Sequence, residues 1–326
     1  ICRSGYALQY DFQSGADPLM SPWIALTIAG AFLQNLRSLL QRRLTGILSV
    51  NGAAYVRFLF ALPFAWLFFG FMADFSSASS GFVPNQQFLL FVSVGAVAQI
   101  VATSALVAAV SGSHFALGTA LSKTEAVQAV MLGLLLLSES VSAKALAGIG
   151  ISLLGVFLLS GNIRPKDLVQ ADRRVWFGVL AATFLALCAI CYRGASLALL
   201  QPMMANAGLV EASFDQALLV ASFTLAVAVT LQTFFMGGYL RFSEPGQLSQ
   251  VLLHWRPALS VGLIAMVASA CWFTAMALCN AAMVRALGQV ELLFTLLTSV
   301  WLLNERVSRR EVLGMVLLVL GILMLF

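Results

Sequence analysis

Ten apolar stretches, each close to twenty residues long, follow one another along the chain and leave it few ways to fold. They run Ser21–Leu40, Val50–Met72, Phe88–Val110, Phe115–Leu137, Lys144–Gly161, Val175–Leu197, Ala217–Phe235, Pro257–Leu278, Met283–Leu303 and Arg310–Phe326. A helix of about 20 apolar residues covers roughly 30 Å, the thickness of bilayer hydrocarbon. Backbone polar groups cannot stay unpaired in lipid, which leaves only helices or a closed barrel. Runs such as Val130–Leu137 lack the alternation of barrel strands. The expected class is therefore an all-α polytopic membrane protein with ten transmembrane helices. Composition agrees, since 61% of the 326 residues are hydrophobic and only 10% are charged. Soluble domains carry roughly 25% charged residues, so a soluble enzyme is excluded.

Breakers fall between the stretches, as at Asn51-Gly52, Arg164-Pro165-Lys166-Asp167 and Pro245-Gly246. Residues 1–19 are mixed and polar, and Met20-Ser21-Pro22 reads as a natural start. They are expected to form a disordered extension. Five cysteines make no disulfide scaffold. The net charge of +5 comes from Lys and Arg at segment ends, which is no nucleic-acid patch. Basic residues gather in alternate connections, beginning with Arg42-Arg43. The positive-inside rule then puts that loop in the cytoplasm and both termini outside.

An internal repeat lies beneath this pattern. Shifting the chain by 166 positions sets Ala116–Leu159 on Ala282–Leu325 with 13 identities in 44 positions. Glu125 falls on Glu291, Glu139 on Glu305, Ser142 on Ser308, Gly148 on Gly314 and Gly155 on Gly321. The expected organisation is a first five-helix repeat over 20–162, a connecting loop over 163–174 and a second repeat over 175–326. A unit with an odd number of spans ends on the opposite side of the membrane, so its copy is inverted. Inverted repeats with a midplane site between them are a common build of secondary transporters.

The residues that carry a resemblance lie in both halves. They include Leu134-Leu135-Leu136-Leu137-Ser138-Glu139 in the first half, and Trp272-Phe273-Thr274-Ala275 and Leu302-Leu303-Asn304-Glu305 followed by Gly314 and Gly321 in the second. A leucine run ending in Glu, followed by a glycine-bearing last helix, resembles the drug/metabolite transporter superfamily and its ten-helix EamA-type members. The resemblance implies export or exchange of amino acids, sugars, nucleotide-linked metabolites or cationic drugs, in a bacterial inner (plasma) membrane. Many members carry Pro early in helices four and nine, near where this chain has Glu125 and Glu291. They are also usually drawn with cytoplasmic termini, against the charge pattern here.

Charges inside the spans form the list of candidate site residues, because an ionisable group at the bilayer centre costs about 2.5–3.5 kcal/mol. Arg57, Lys123, Glu125, Arg193 and Glu291 lie deep, with Arg37 and Arg285 nearer span ends. Ser122, Glu125 and Gln128 share a helix face, as do Gly288, Glu291 and Thr295. Lys123 points about 160° away from Glu125. The functional reading has Glu125 and Glu291 binding substrate or a coupling proton, with Lys123, Arg57, Gln99, Trp272 and Gln128 as further substrate-binding candidates. The structural reading pairs Glu125 with Arg57 or Arg193 on a neighbouring helix. Cations outnumber acids within the spans, which favours solutes bearing a carboxylate or phosphate.

Cys188 and Cys191 sit mid-span as packing residues, and Gly148, Gly150 and Gly155 serve close helix approach. His114 and His254 make no metal site, and without a P-loop the chain carries no ATPase of its own. The expectation is a secondary active transporter of small polar, amino-acid-like or other carboxylate-bearing solutes. It would use no cofactor or nucleic acid, work as monomer or homodimer, and be no enzyme. A membrane enzyme or scramblase acting on lipid-linked substrates is the alternative.

Overall fold

The computed structural model describes residues 21–44, 47–75, 83–110, 115–160, 176–209, 212–303 and 308–326. The expected extension over 1–19 and the connecting loop over 163–174 lie outside them. All described secondary structure is helical. In chain order the helices are α1 (Pro22–Leu44), α2 (Val50–Leu59), α3 (Leu62–Phe75), α4 (Gln86–Val110), α5 (Phe115–Ser122), α6 (Glu125–Leu137) and α7 (Ala143–Leu159). They continue with α8 (Trp176–Ala207), α9 (Phe214–Ser243), α10 (Gln247–Leu253), α11 (Trp255–Leu278), α12 (Ala281–Leu287), α13 (Glu291–Leu303) and α14 (Arg309–Leu323).

Among the described residues, seven helical stretches are long and apolar enough to cross a membrane: Pro22–Gln41, Val50–Asp74, Gln86–Leu106, Ala120–Leu137, Trp176–Asn206, Phe214–Ser243 and Trp255–Leu278. Ala143–Leu159 is apolar but shorter, at 17 residues. The last two expected spans are helical in two different ways. Met283–Leu303 is interrupted by a 3-10 turn over Gly288–Val290, and Arg309–Leu323 opens on two arginines and Glu311. Leu67, Leu135 and Phe234 are at least 70% exposed. Side chains of that kind on many helices require lipid rather than water around them, and the chain is a multi-pass integral membrane protein.

The described residues cluster into two compact units. One contains Val101–Ile190 and Cys279–Phe326, together with the start of α1; the other contains Ala29–Ile100 and Cys191–Leu278. In the first unit, α7 packs on α14 through glycines. A Cβ on Gly148 would lie 2.6 Å from the Gly321 carbonyl oxygen, and one on Gly155 would lie 2.6 Å from that of Gly314. Residue number rises along one helix as it falls along the other, so α7 and α14 run antiparallel. These helices are repeat equivalents, and the exchange of 148 for 314 and of 155 for 321 turns each contact into the other. Antiparallel equivalents joined by a self-exchanging contact are what an inverted repeat requires. The matched serines also share one task. Ser142 accepts from Ala145 N to cap α7, and Ser308 accepts from Glu311 N to cap α14.

In the second unit, α2 packs on α9, α10 and α11 around Leu44, Leu48, Tyr55, Phe58, Met236, Leu240, Val251 and Val261. Each end of this unit is closed by a polar latch. At one end Ser49 Oγ and Asn51 Nδ2 both donate to the Glu244 carboxylate, and Ser49 N donates to Gln247 Oε1 at 3.1 Å. At the other, Asn85 Nδ2 donates to the Ala198 carbonyl at 2.8 Å. The start of α2 and the turn between α9 and α10 thus meet at one end, as alternating spans demand.

Candidate functional site

Two repeat-related helix breaks build a charged centre in the first unit. The apolar run Phe115–Leu137 ends one helix at Ser122, turns through Lys123 and Thr124, and begins another at Glu125. No proline causes this break. Thr124 Oγ1 instead donates to the Leu121 carbonyl at 2.7 Å, and Gln128 Nε2 donates to Thr124 Oγ1 at 3.0 Å. The second copy breaks in the same register, with α12 ending at Leu287, the 3-10 turn following, and α13 starting at Glu291. Each glutamate therefore occupies the first turn of a 13-residue helix, where the helix dipole favours a carboxylate.

Both carboxylates find their partner in the other repeat. Arg285 Nη2 lies 2.5 Å from Glu125 Oε2, and Lys123 Nζ lies 3.5 Å from Glu291 Oε2. Gln289 Nε2 donates to the Lys123 carbonyl at 3.4 Å. The partner of Glu125 is thus Arg285, not the Arg57 or Arg193 that the sequence offered. Glu125 is 5% exposed, and the Lys123 and Glu291 side chains are 19% exposed. The two pairs are not symmetric copies. The repeat sets Glu125 on Glu291 but Arg285 on Thr119 and Lys123 on Gln289, so the acids are duplicated and the cations are not.

A second centre lies within the other unit. Arg37, Arg57, Gln99, Gln232, Ser269 and Phe273 line a small cavity. Behind it stands a closed triangle of hydrogen bonds. Gln99 Oε1 accepts from Tyr192 OH at 2.8 Å and from Gln232 Nε2 at 2.5 Å, and Gln232 Nε2 also donates to Tyr192 OH at 2.8 Å. The Tyr192 ring lies 4.4 Å from that of Phe273, and Arg57 Cζ sits 4.5 Å from the Phe58 ring centroid. This cavity draws on distant parts of the sequence, with Arg37, Arg57 and Gln99 from the first hundred residues and Gln232, Ser269 and Phe273 from beyond residue 230.

The sequence candidates therefore divide. Glu125, Glu291 and Lys123 meet at the helix breaks, and Gln128 braces one of them. Arg57 and Gln99 line the cavity. Trp272, one residue before Phe273, is buried against α1, where a Cβ on Gly30 would lie 3.2 Å from its Nε1. Arg193 is 4% exposed and donates through Nη1 to the carbonyls of Met276 and Ala277 at 2.9 and 2.7 Å. Arg285, Tyr192 and Gln232 complete the two centres and were not singled out as ligands. An uncharged glutamine deep in an apolar run was the available signal for Gln232.

Residues 175–326 match the profile described as the EamA-like transporter family. No curated protein matches the sequence. Among solved structures, one titled only as the crystal structure of a protein superposes with a TM-score of 0.57 at 15% identity, over 92% of this chain and 97% of that one. At that identity the likeness speaks for the fold.

Proposed function

We propose that this chain, of which residues 175–326 match the EamA-like transporter family, is a membrane transporter of small solutes that works as a secondary exporter or exchanger of carboxylate-bearing metabolites. The observation that carries the reading is the charged centre. Discontinuous helices whose N-terminal ends and side chains meet between inverted repeats are the usual site architecture of such transporters. Alternating access needs contacts that can be made in one state and broken in the next. A proton taken up by Glu125 or Glu291 cancels one member of an ion pair and lets its cation move, which couples proton binding to rearrangement at the break. Arg57 and Gln99 serve the solute, and the ten expected spans supply the two five-helix halves.

The test is counterflow in proteoliposomes of the full chain, at two pH values, over a panel of amino acids, hydroxy acids, sugars and nucleotides. Glu125→Gln is expected to lose the proton dependence of flux. Because that change also leaves Arg285 unpartnered by Glu125, the double variant Glu125→Gln/Arg285→Gln separates folding from coupling. It should recover folded yield without recovering coupled flux. Wild-type coupling in either variant refutes the role, and solute-independent lipid flux favours a scramblase.

A further inference from the structure

We propose that the cavity in the Ala29–Ile100/Cys191–Leu278 unit takes solutes of net negative charge, small mono- or dicarboxylates, in preference to zwitterions. The inference rests on the transporter reading only for the direction of its use, since binding can be measured without flux. Two guanidinium groups, Arg37 and Arg57, line the same cavity, and among the described residues that line it none is acidic. A cavity with two fixed positive charges in low dielectric concentrates anions. It provides no carboxylate to hold an ammonium group, which a zwitterion would need for both of its charges to be met.

The walls specify a carboxylate rather than a bare anion. Arg57 Cζ lies over the Phe58 ring, 4.5 Å from its centroid. A guanidinium carries its N–H groups in one plane around its edge, the arrangement that grips a carboxylate by two parallel hydrogen bonds. The triangle of Gln99, Tyr192 and Gln232 holds its side chains by bonds of 2.5 to 2.8 Å. Gln99 takes both donors on its oxygen, which fixes which end of the carboxamide is committed to the network. Ser269 adds a hydroxyl and Phe273 an apolar face.

The experiment is isothermal titration of the full chain in lipid nanodiscs with succinate, lactate and alanine, alongside counterflow of the same three. Succinate and lactate are expected to bind and alanine to bind at least tenfold more weakly. Arg57→Gln and Arg37→Gln should each weaken carboxylate binding about thirtyfold or more, the range for deleting one member of a buried charge-assisted contact. Arg57→Lys, which keeps the charge and loses the planar fork, should retain part of the affinity. It also serves if the glutamine variants fail to fold. Alanine binding as tightly as lactate, or carboxylate affinity unchanged in the folded arginine variants, overturns the proposal. Carboxylate binding without counterflow upholds it and refutes transport; alanine counterflow without carboxylate binding does the reverse.

Discussion

Arg193 shows how backbone carbonyls help to keep a guanidinium in an apolar interior. Its Nη1 donates to the carbonyls of Met276 and Ala277 in the last turn of α11, where a helix presents unsatisfied acceptors and the negative end of its dipole. Arg193→Gln should lower stability by about 1.5–3 kcal/mol, the worth of hydrogen bonds from a charged group, read as a lower melting temperature in detergent. Glu125 illustrates the other solution. Deleting one member of its buried pair with Arg285 should destabilise by about 3–5 kcal/mol. Deleting both should cost less than the sum, with a coupling of about 0.5–3 kcal/mol in a double-mutant cycle. Additive losses would mean the two side chains do not act as a pair. Helical periodicity told which face Glu125 occupies, but not that its cation would come from a position 160 residues away in the other repeat. That pairing depends on how two inverted copies meet, which no local window of sequence contains.

At the scale of elements, the glycines of α7 and α14 decide how closely two helices approach. A Cβ on Gly155 meets backbone atoms of Gly314 and Leu318 at 2.6 Å, whereas one on Gly150 meets nothing within 4 Å. Backbone cannot swing aside as a side chain can. Gly155→Leu is therefore expected to destabilise by about 1–3 kcal/mol or more through overpacking, and Gly150→Leu to leave the melting temperature nearly unchanged. Equal melting of the two variants would remove the close contact from consideration. These glycines were legible early, because the same spacing recurs 166 residues later. The breaks at Lys123–Thr124 and Gly288–Val290 were not. With no proline at either place, each run reads as one continuous apolar helix, and only the side-chain bonds of Thr124 and Gln128 reveal the turn. The cavity was half legible: intramembrane Arg57 and Gln99 stood out by charge and polarity, while tertiary packing brings Gln232 to its wall and sets Tyr192 behind it.

For the whole molecule, the distribution of basic residues argues an orientation that chemistry can read. In a cysteine-free background, Val83→Cys and Ser243→Cys lie at opposite ends of one unit, both on exposed residues. Positive-inside charge places the Arg241 end in the cytoplasm. A membrane-impermeant maleimide applied to intact cells should then label position 83 and not position 243. The opposite pattern would reverse the orientation.

The contact between α7 and α14 has a consequence for how such a chain could arise. Gly148 meets Gly321 and Gly155 meets Gly314, so the surface on one half is complementary to the same surface on its inverted copy. In an oligomer that would be called an isologous interface, the kind on which twofold dimers are built. A half-length ancestor able to insert in both directions would have carried both sides of this contact in one sequence. A fusion of two such copies would free them to diverge, and the unduplicated cations Arg285 and Lys123 mark a place where the two stretches differ.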